Sequence, residues 1–291
     1  MKKNMIFTLA AAAVFTLCAQ DSVTEFKKGT GQLNARKYAA AAETFDKIAQ
    51  TSSGEMKEKA LLYKAIAMGW DTKLKKEAVQ PAVDAIQNAK LKSYAAMHML
   101  YRRNLWKDVV EKFAEEKIQE WPEDYAYLGW LMRGSSRNYR RLYEQGIEDL
   151  LLAEKNVGSD KEAYLQIEGS LFHAYSMTKK YNEAIAAIER IRAEKKTFGG
   201  SYLYLSPVLS SVNIYILLKK YDEAHKILAD LQKLSSANNV YGCRYFMALG
   251  SVFRAEGKTA EAKEAYQKAC DCKNAPKYYR DLAQKALDSL K

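Results

Sequence analysis

A chain of 291 residues that is 48% apolar and 28% charged has ample material for a packed core, which excludes wholesale disorder. Only 4 prolines and 14 glycines interrupt it, and the recurrence of alanine, leucine, lysine and glutamate favours helix. The formal charge of +11, or +9 without Lys2 and Lys3, comes from lysines spread along the chain. That pattern describes a basic surface, either merely solubilising or suited to acidic proteins, lipid head groups or anionic envelope polymers, and nucleic acid is not expected as a partner.

In chain order, Lys2 and Lys3 precede the apolar run Met5–Leu17, and Gln20 and Asp21 open a polar sequence. Residues 1–19 therefore read as a secretory signal peptide cut after Ala19; the run is shorter than the roughly 20 residues of a bilayer span. Phe15-Thr16-Leu17-Cys18 is a partial lipobox with Leu17 where a small residue is usual, so lipidation of Cys18 stays open beside simple cleavage. The chain is expected to be exported to the periplasm or envelope of a bacterium. Membrane attachment is expected only through a lipid anchor or an uncleaved signal.

The remainder repeats. Lys180-Tyr181-Asn182-Glu183-Ala184-Ile185 and Lys220-Tyr221-Asp222-Glu223-Ala224-His225 are close relatives, each with a tyrosine six residues upstream, Tyr175 and Tyr215. Each continues to an apolar residue four after the alanine, Ile188 and Leu228. An earlier copy is Lys37-Tyr38-Ala39-Ala40-Ala41, with Phe45, Ile48 and Gly29; Trp106, Val109 and Phe113 mark another, and Tyr143, Gly146 and Leu150 a weaker one. The last copy is Phe246-x2-Leu249-Gly250-x2-Phe253, Gly257, then Ala262-x3-Tyr266-x2-Ala269. The anchors Tyr38, Trp106, Tyr143, Tyr181, Tyr221 and Thr259 are 68, 37, 38, 40 and 38 residues apart. The first gap predicts a degenerate copy over Glu55–Lys90, its nearest echo Lys75–Ala78.

Boundary signals fit this spacing. Pro122, with Glu123 and Asp124, starts one helix; Ser206-Pro207 starts another, with Ser206 as its cap; Ser159-Asp160 and Asn274-Ala275-Pro276 precede two more. Gly199-Gly200 marks a loop, and Pro81 predicts a helix that begins near Gln80 or is kinked there.

The aromatic, Leu-Gly, aromatic, Ala-x3-aromatic pattern resembles the tetratricopeptide repeat family, whose unit is about 34 residues. The resemblance implies an all-α fold: an α-solenoid, a right-handed superhelix of about seven antiparallel hairpins over 20–291. Clear repeats are expected near 160–193, 204–234 and 241–272, weaker ones over 22–155, and a capping helix over 275–291. Small residues would let paired helices approach while aromatics fill the space beside them, and stacked hairpins would share one core.

The resemblance further implies a concave groove lined by the first helix of each hairpin. Its inward positions fall on Tyr94, His98, Tyr101 and Arg102, then on Gln166, His173 and Met177, then Asn213, and finally Arg244, Met247, Ser251 and Arg254. Arginine, tyrosine and methionine there suit an interaction surface. Cys243 opens one helix and Cys270 and Cys272 end its partner, so a disulfide from Cys243 to either is feasible in an oxidising compartment, with three free thiols as the alternative.

No Gly-rich phosphate loop, His-Glu-x2-His or nucleophile elbow occurs in the sequence, so no catalytic, cofactor or metal residue is assigned and an enzyme is not expected. The expected function is an exported scaffold or adaptor that binds protein segments, partner unidentified. One alternative resembles the lipidated repeat protein of outer-membrane β-barrel insertion; a remoter one is an accessory of a cell-wall enzyme system.

Overall fold

The structure, a computed structural model, describes residues 21–237 and 239–290. The expected signal peptide over 1–19, including Cys18, lies outside the described residues. The fold is all-α, without a strand among the described residues. The chain divides into two compact units, one reaching to Asn156 and one beginning at Val157.

In the first unit, α1 covers 21–34 and is followed by α2 (Tyr38–Thr51), α3 (Gly54–Trp70), α4 (Lys76–Asp84) and α5 (Ala89–Arg102). Then come α6 (Trp106–Lys112), a 3-10 turn (Ile118–Glu120), α7 (Glu123–Tyr139) and α8 (Tyr143–Asn156). The second unit holds α9 (Lys161–Met177), α10 (Tyr181–Ala193), the single turn α11 (Lys195–Phe198), α12 (Tyr202–Leu217) and α13 (Tyr221–Asp230). A 3-10 segment (Gln232–Ser236) leads into α14 (Val240–Ala255), α15 (Thr259–Cys270) and α16 (Lys277–Asp288).

Each sequence anchor is the first residue of a helix, and one backbone motif puts it there. Arg36, Asn104, Arg141, Lys179, Lys219 and Gly257 each have φ between 55° and 79° and stand two residues before an anchor. The next residue's N–H donates to the carbonyl five residues back at 2.8–3.0 Å, as from Lys180 to Tyr175 and Lys220 to Tyr215. The left-handed residue itself donates three residues back, as from Lys179 to Ser176. This is a Schellman ending, which satisfies the last carbonyls of one helix and launches the next. Helices that follow it carry no side-chain cap. Three of those opening a new pair use one: Asn88 accepts from Lys90 and Leu91 N–H, Asp160 from Ala163, and Asn239 from Tyr241 and Gly242, whereas α3, α7 and α12 have none.

The helices joined by these turns run antiparallel, because their contacts pair symmetrically about the turn. Gly29 faces Phe45, Gly134 faces Leu150, and Gly250 faces Tyr266. Three residues after each anchor lies a buried small or β-branched side chain or a glycine: Ala41, Val109, Gly146, Ala184, Ala224 or Ala262. Where the first helix carries glycine at closest approach, its partner can be a large ring, Phe45 or Tyr266. At the corresponding positions of α9 and α12, Phe172 and Val212 are matched with the smaller Ile188 and Leu228, keeping core volume filled.

Buried ion pairs fix two of these pairings. Arg133 on α7 forks onto Asp149 of α8 at 2.9 and 2.7 Å, while its Nη1 donates to the carbonyls of Phe113, Ala114 and Glu116. Arg137 adds a third bond to Asp149 at 2.8 Å. In the second unit Arg190 of α10 bonds the wholly buried Glu168 of α9 at 2.6 Å. α16 covers the end of that unit, over a core of Cys243, Ala269, Cys272, Ala275 and Ala283.

One boundary expectation needs correction, and the one for Pro81 loses its alternative of a start near Gln80. α12 begins at Tyr202, a turn ahead of Ser206, and contains Pro207, so Ser206 caps nothing and its oxygens serve another purpose. α4 begins at Lys76 and runs through Pro81 to Asp84.

Candidate functional site

In the second unit α9, α12 and α14 lie side by side, and the common turn gives them a common register. Counting back fifteen residues from the helix that follows each turn aligns Gln166, Ser206 and Arg244. Twelve back aligns Gly169, Leu209 and Met247; eleven back Ser170, Ser210 and Ala248; eight back His173, Asn213 and Ser251. Of these twelve residues only Leu209 is buried; His173 and Asn213 are exposed and the others half-buried, so one face of the three helices is open to solvent. Its floor is built from small residues: a Cβ at Gly169 would meet nothing within 4 Å.

Arg244 dominates this face. Its Nη1 donates to Ser206 Oγ at 3.1 Å, and its Nη2 to Ser206 O at 3.1 Å and Ser210 Oγ at 3.0 Å. These bonds tie α14 to α12 and lock the guanidinium, so its rotamer freedom is lost before any ligand arrives. Beside it is a pocket of about 160 Å³ lined by Leu209, Ser210, Asn213, Met247, Ala248 and Ser251, with Tyr279 and Leu282 of α16 forming one wall. Ser251 Oγ donates to Met247 O at 2.9 Å and shares a hydrogen bond with the Tyr266 hydroxyl at 3.2 Å. The pocket has room for one side chain, with an apolar wall, a cation and several hydroxyl or amide groups.

Asn213, Arg244, Met247 and Ser251, expected on a groove, are thus brought together. Gln166 and His173 lie farther along the same face, on α9, and the exposed Arg254 ends α14. Leu209, Ser210 and Ser206 were missed; their register with Met247, Ala248 and Arg244 was the available signal. Tyr279 was missed because nothing in a terminal cap indicates which helix it leans on.

Two of the four first-unit expectations are corrected, those for Tyr94 and His98, while Tyr101 and Arg102 are half-buried. Tyr94 and His98 are buried, with 4% and 7% exposure, and line no open face. The segment following α6 turns Trp121 onto Tyr94 edge-on at 5.9 Å, and Tyr125 packs on it at 4.8 Å. His98 lies against Trp70 and Tyr94, and the Arg102 guanidinium sits 3.3 Å over the Trp70 ring. Burial, reinforced by the positive charges of Arg102 and Arg103, pushes the His98 imidazole down to about 3, so it is neutral. Tyr101 is half-buried, edge-on to Trp106 at 5.2 Å.

The bridge from Cys243 to Cys270 or Cys272 is absent: all three thiols are free. Cys243 and Cys272 are core residues beneath α16, and Cys272 Sγ donates to Lys268 O at 3.4 Å. Burial pushes the Cys243 thiol up to about 11, with its neighbouring thiols adding to the effect.

A larger open cavity of about 550 Å³ lies by the α12–α13 turn. Lys219 and Lys220 alternate there with Asp222, Glu223 and Glu256, so it favours no ligand charge, and no expected groove residue lines it. Among the described residues no group of three His, Cys, Asp or Glu could hold a metal, and no helix is long and apolar enough to cross a membrane. No protein-family model matches the chain, and no curated protein is significantly similar to it.

Proposed function

We propose that this chain is an exported tetratricopeptide-type scaffold, without an enzymatic activity of its own, that binds an extended protein segment on the α9–α12–α14 face. Under this reading the helix pairs are hairpins, four in the first unit and three in the second, with α16 as cap. The observation that carries it is Arg244, held by Ser206 and Ser210 at the edge of a side-chain-sized pocket. A preorganised arginine beside a methionine and a tyrosine is the composition of an interface anchor. With Arg254 nearly three helical turns beyond Arg244, the face suits a segment carrying carboxylates and one apolar side chain. The export component rests on Lys2, Lys3 and the apolar run Met5–Leu17.

Peptides drawn from envelope extracts and captured on the immobilised protein test this reading. Wild type is expected to retain a set that Arg244→Glu/Arg254→Glu loses, while Lys263→Glu, exposed on α15, retains it. Equal capture by all three proteins would remove this face as the binding surface. Fractionation of expressing cells tests export: recovery of the chain only from the cytoplasm would remove that component.

A further inference from the structure

We propose that the α7–α8 turn of the first unit is a docking tip for the anionic headgroup surface of a lipid membrane. Tyr139, Arg140, Arg141 and Leu142 follow one another at this turn, and all four are exposed. Tyr139 is 64% exposed and Leu142 39%. An exposed apolar residue on one side of a basic pair recurs in the chain, as Met177 before Lys179-Lys180 and Leu217 before Lys219-Lys220; among the described turns this one alone has an exposed large apolar residue on each side.

The exposed ring is supported from behind. Tyr139 stacks on Trp106 with centroids 4.4 Å apart and planes 9° from parallel, and Trp106 meets Tyr101 edge-on at 5.2 Å. Three rings, from α5, α6 and α7, form one platform whose outermost member is in solvent. Packing already orders Tyr139, so placing it in an interface loses little further side-chain entropy.

Charge supplies the second observation. Neither the Arg140 nor the Arg141 side chain has an ion-pair or hydrogen-bond partner among the described residues. Other charges nearby are engaged: Lys107 with Glu111 and Lys76 with Asp108, both at 3.7 Å, while Arg137, at 2.8 Å, shares Asp149 with Arg133. Glu144, at the start of α8, is itself engaged. A surplus of two positive charges remains at the tip. Arg141 has φ +63°, and Arg36, Lys179 and Lys219 have φ of 55–60° at the same position of their turns, so the left-handed cation belongs to the turn and does not distinguish this tip.

The occupant follows from shape and charge. A turn joining two helix ends offers no cleft to a peptide, whereas a bilayer interface takes amphipathic rings and leucine at headgroup level and guanidinium groups on phosphates. The unpaired arginines select anionic over zwitterionic headgroups.

Co-sedimentation of the full chain with phosphatidylglycerol–phosphatidylethanolamine vesicles, against phosphatidylcholine vesicles, tests the tip. Arg140→Ala/Arg141→Ala is expected to lower partitioning onto anionic vesicles about thirty-fold, each basic residue at such a surface contributing about five-fold. Arg141→Gly alone, which relaxes the backbone and leaves the fold intact, is expected to lower it about five-fold. Brominated lipid should quench Trp106 in wild type, and the quenching should disappear in Tyr139→Ser/Leu142→Ser and in Trp106→Phe. Equal binding to both vesicle types, or unchanged partitioning of the arginine variants, overturns the proposal. So does anionic-vesicle binding with Trp106 unquenched, which assigns the contact to another part of the chain.

Discussion

Replacing Gly250 by alanine adds one methyl group at the closest approach of α14 and α15. The new Cβ would lie 2.7 Å from Tyr266 Cδ1 and Cε1 and 3.0 Å from Cζ, well inside van der Waals contact. The ring cannot swing aside, being 2% exposed and held through its hydroxyl by Ser251. Overpacking of this kind costs about 1–3 kcal/mol, and alanine's helix propensity offsets about 1 kcal/mol of it. The net expectation is a loss of up to about 2 kcal/mol, which at a urea dependence of about 2 kcal/mol per M lowers the unfolding midpoint by up to about 1 M. Gly169→Ala provides the control, since the same chemical change in the same unit meets nothing within 4 Å. There only the propensity gain of about 0.5–1 kcal/mol remains, and the midpoint should rise. Urea melts followed by circular dichroism decide the matter. Shifts of the same sign in the two variants, or a Gly250→Ala penalty that persists in a Tyr266→Leu background, would refute the close-approach argument.

Three further outcomes follow from buried polar groups. Asp149→Ala strands two buried guanidinium groups and should cost about 3–5 kcal/mol in thermal unfolding, whereas Lys64→Ala, which breaks a partly exposed pair with Asp46, should cost under about 1 kcal/mol; equal effects would contradict the burial assigned to the triad. His98 titrates near 6.5 in the unfolded chain and near 3 in the fold, so in that interval the unfolded chain binds more protons and stability is lost as pH falls. The slope from this residue is about 1.4 kcal/mol per pH unit below its unfolded pKa, and His98→Phe should flatten the profile there; an unchanged slope would mean the imidazole is protonated in the fold. Iodoacetamide at neutral pH should label the half-buried Cys270 first and Cys243 only as the unit unfolds; Cys243 reacting like a peptide thiol would sink its assignment to the core.

The sequence spacing located the second helix of each clear pair to the residue, at Tyr181, Tyr221 and Thr259, because an invariant turn precedes an aromatic or β-branched starter and a buried alanine three positions later. Tyr38 was legible for the same reason, whereas Trp106 and the weaker Tyr143 are followed at that position by Val109 and Gly146 instead of alanine. Pairing of α3 with α4 was visible only as a gap: their connection lacks the left-handed residue, so no turn pattern marked it. The groove residues were legible in part, since repeat register says which face a position occupies but not whether something folds over that face. Asn213 and Arg244 stayed accessible to solvent, while the same register put Tyr94 beneath Trp121 and Tyr125 and His98 between Trp70 and Tyr94. The Ser206-Pro207 pair misled because a proline in the second turn of a helix resembles one in the first. The hydroxyl expected to cap a helix instead accepts from an arginine thirty-eight residues away.

The six Schellman turns are all three residues long, at 35–37, 103–105, 140–142, 178–180, 218–220 and 256–258. Length variation between successive pairs must therefore be absorbed elsewhere. In the second unit it falls in the connections over 157–160, 194–201 and 231–239, two of which have coiled into short helices of their own. The molecule consequently has stiff internal joints and adjustable spacers between them. A tag, a protease site or an additional copy of a helix pair belongs in a spacer, where extra residues lengthen a surface path. One residue added to a joint would rotate every contact between the two helices it connects.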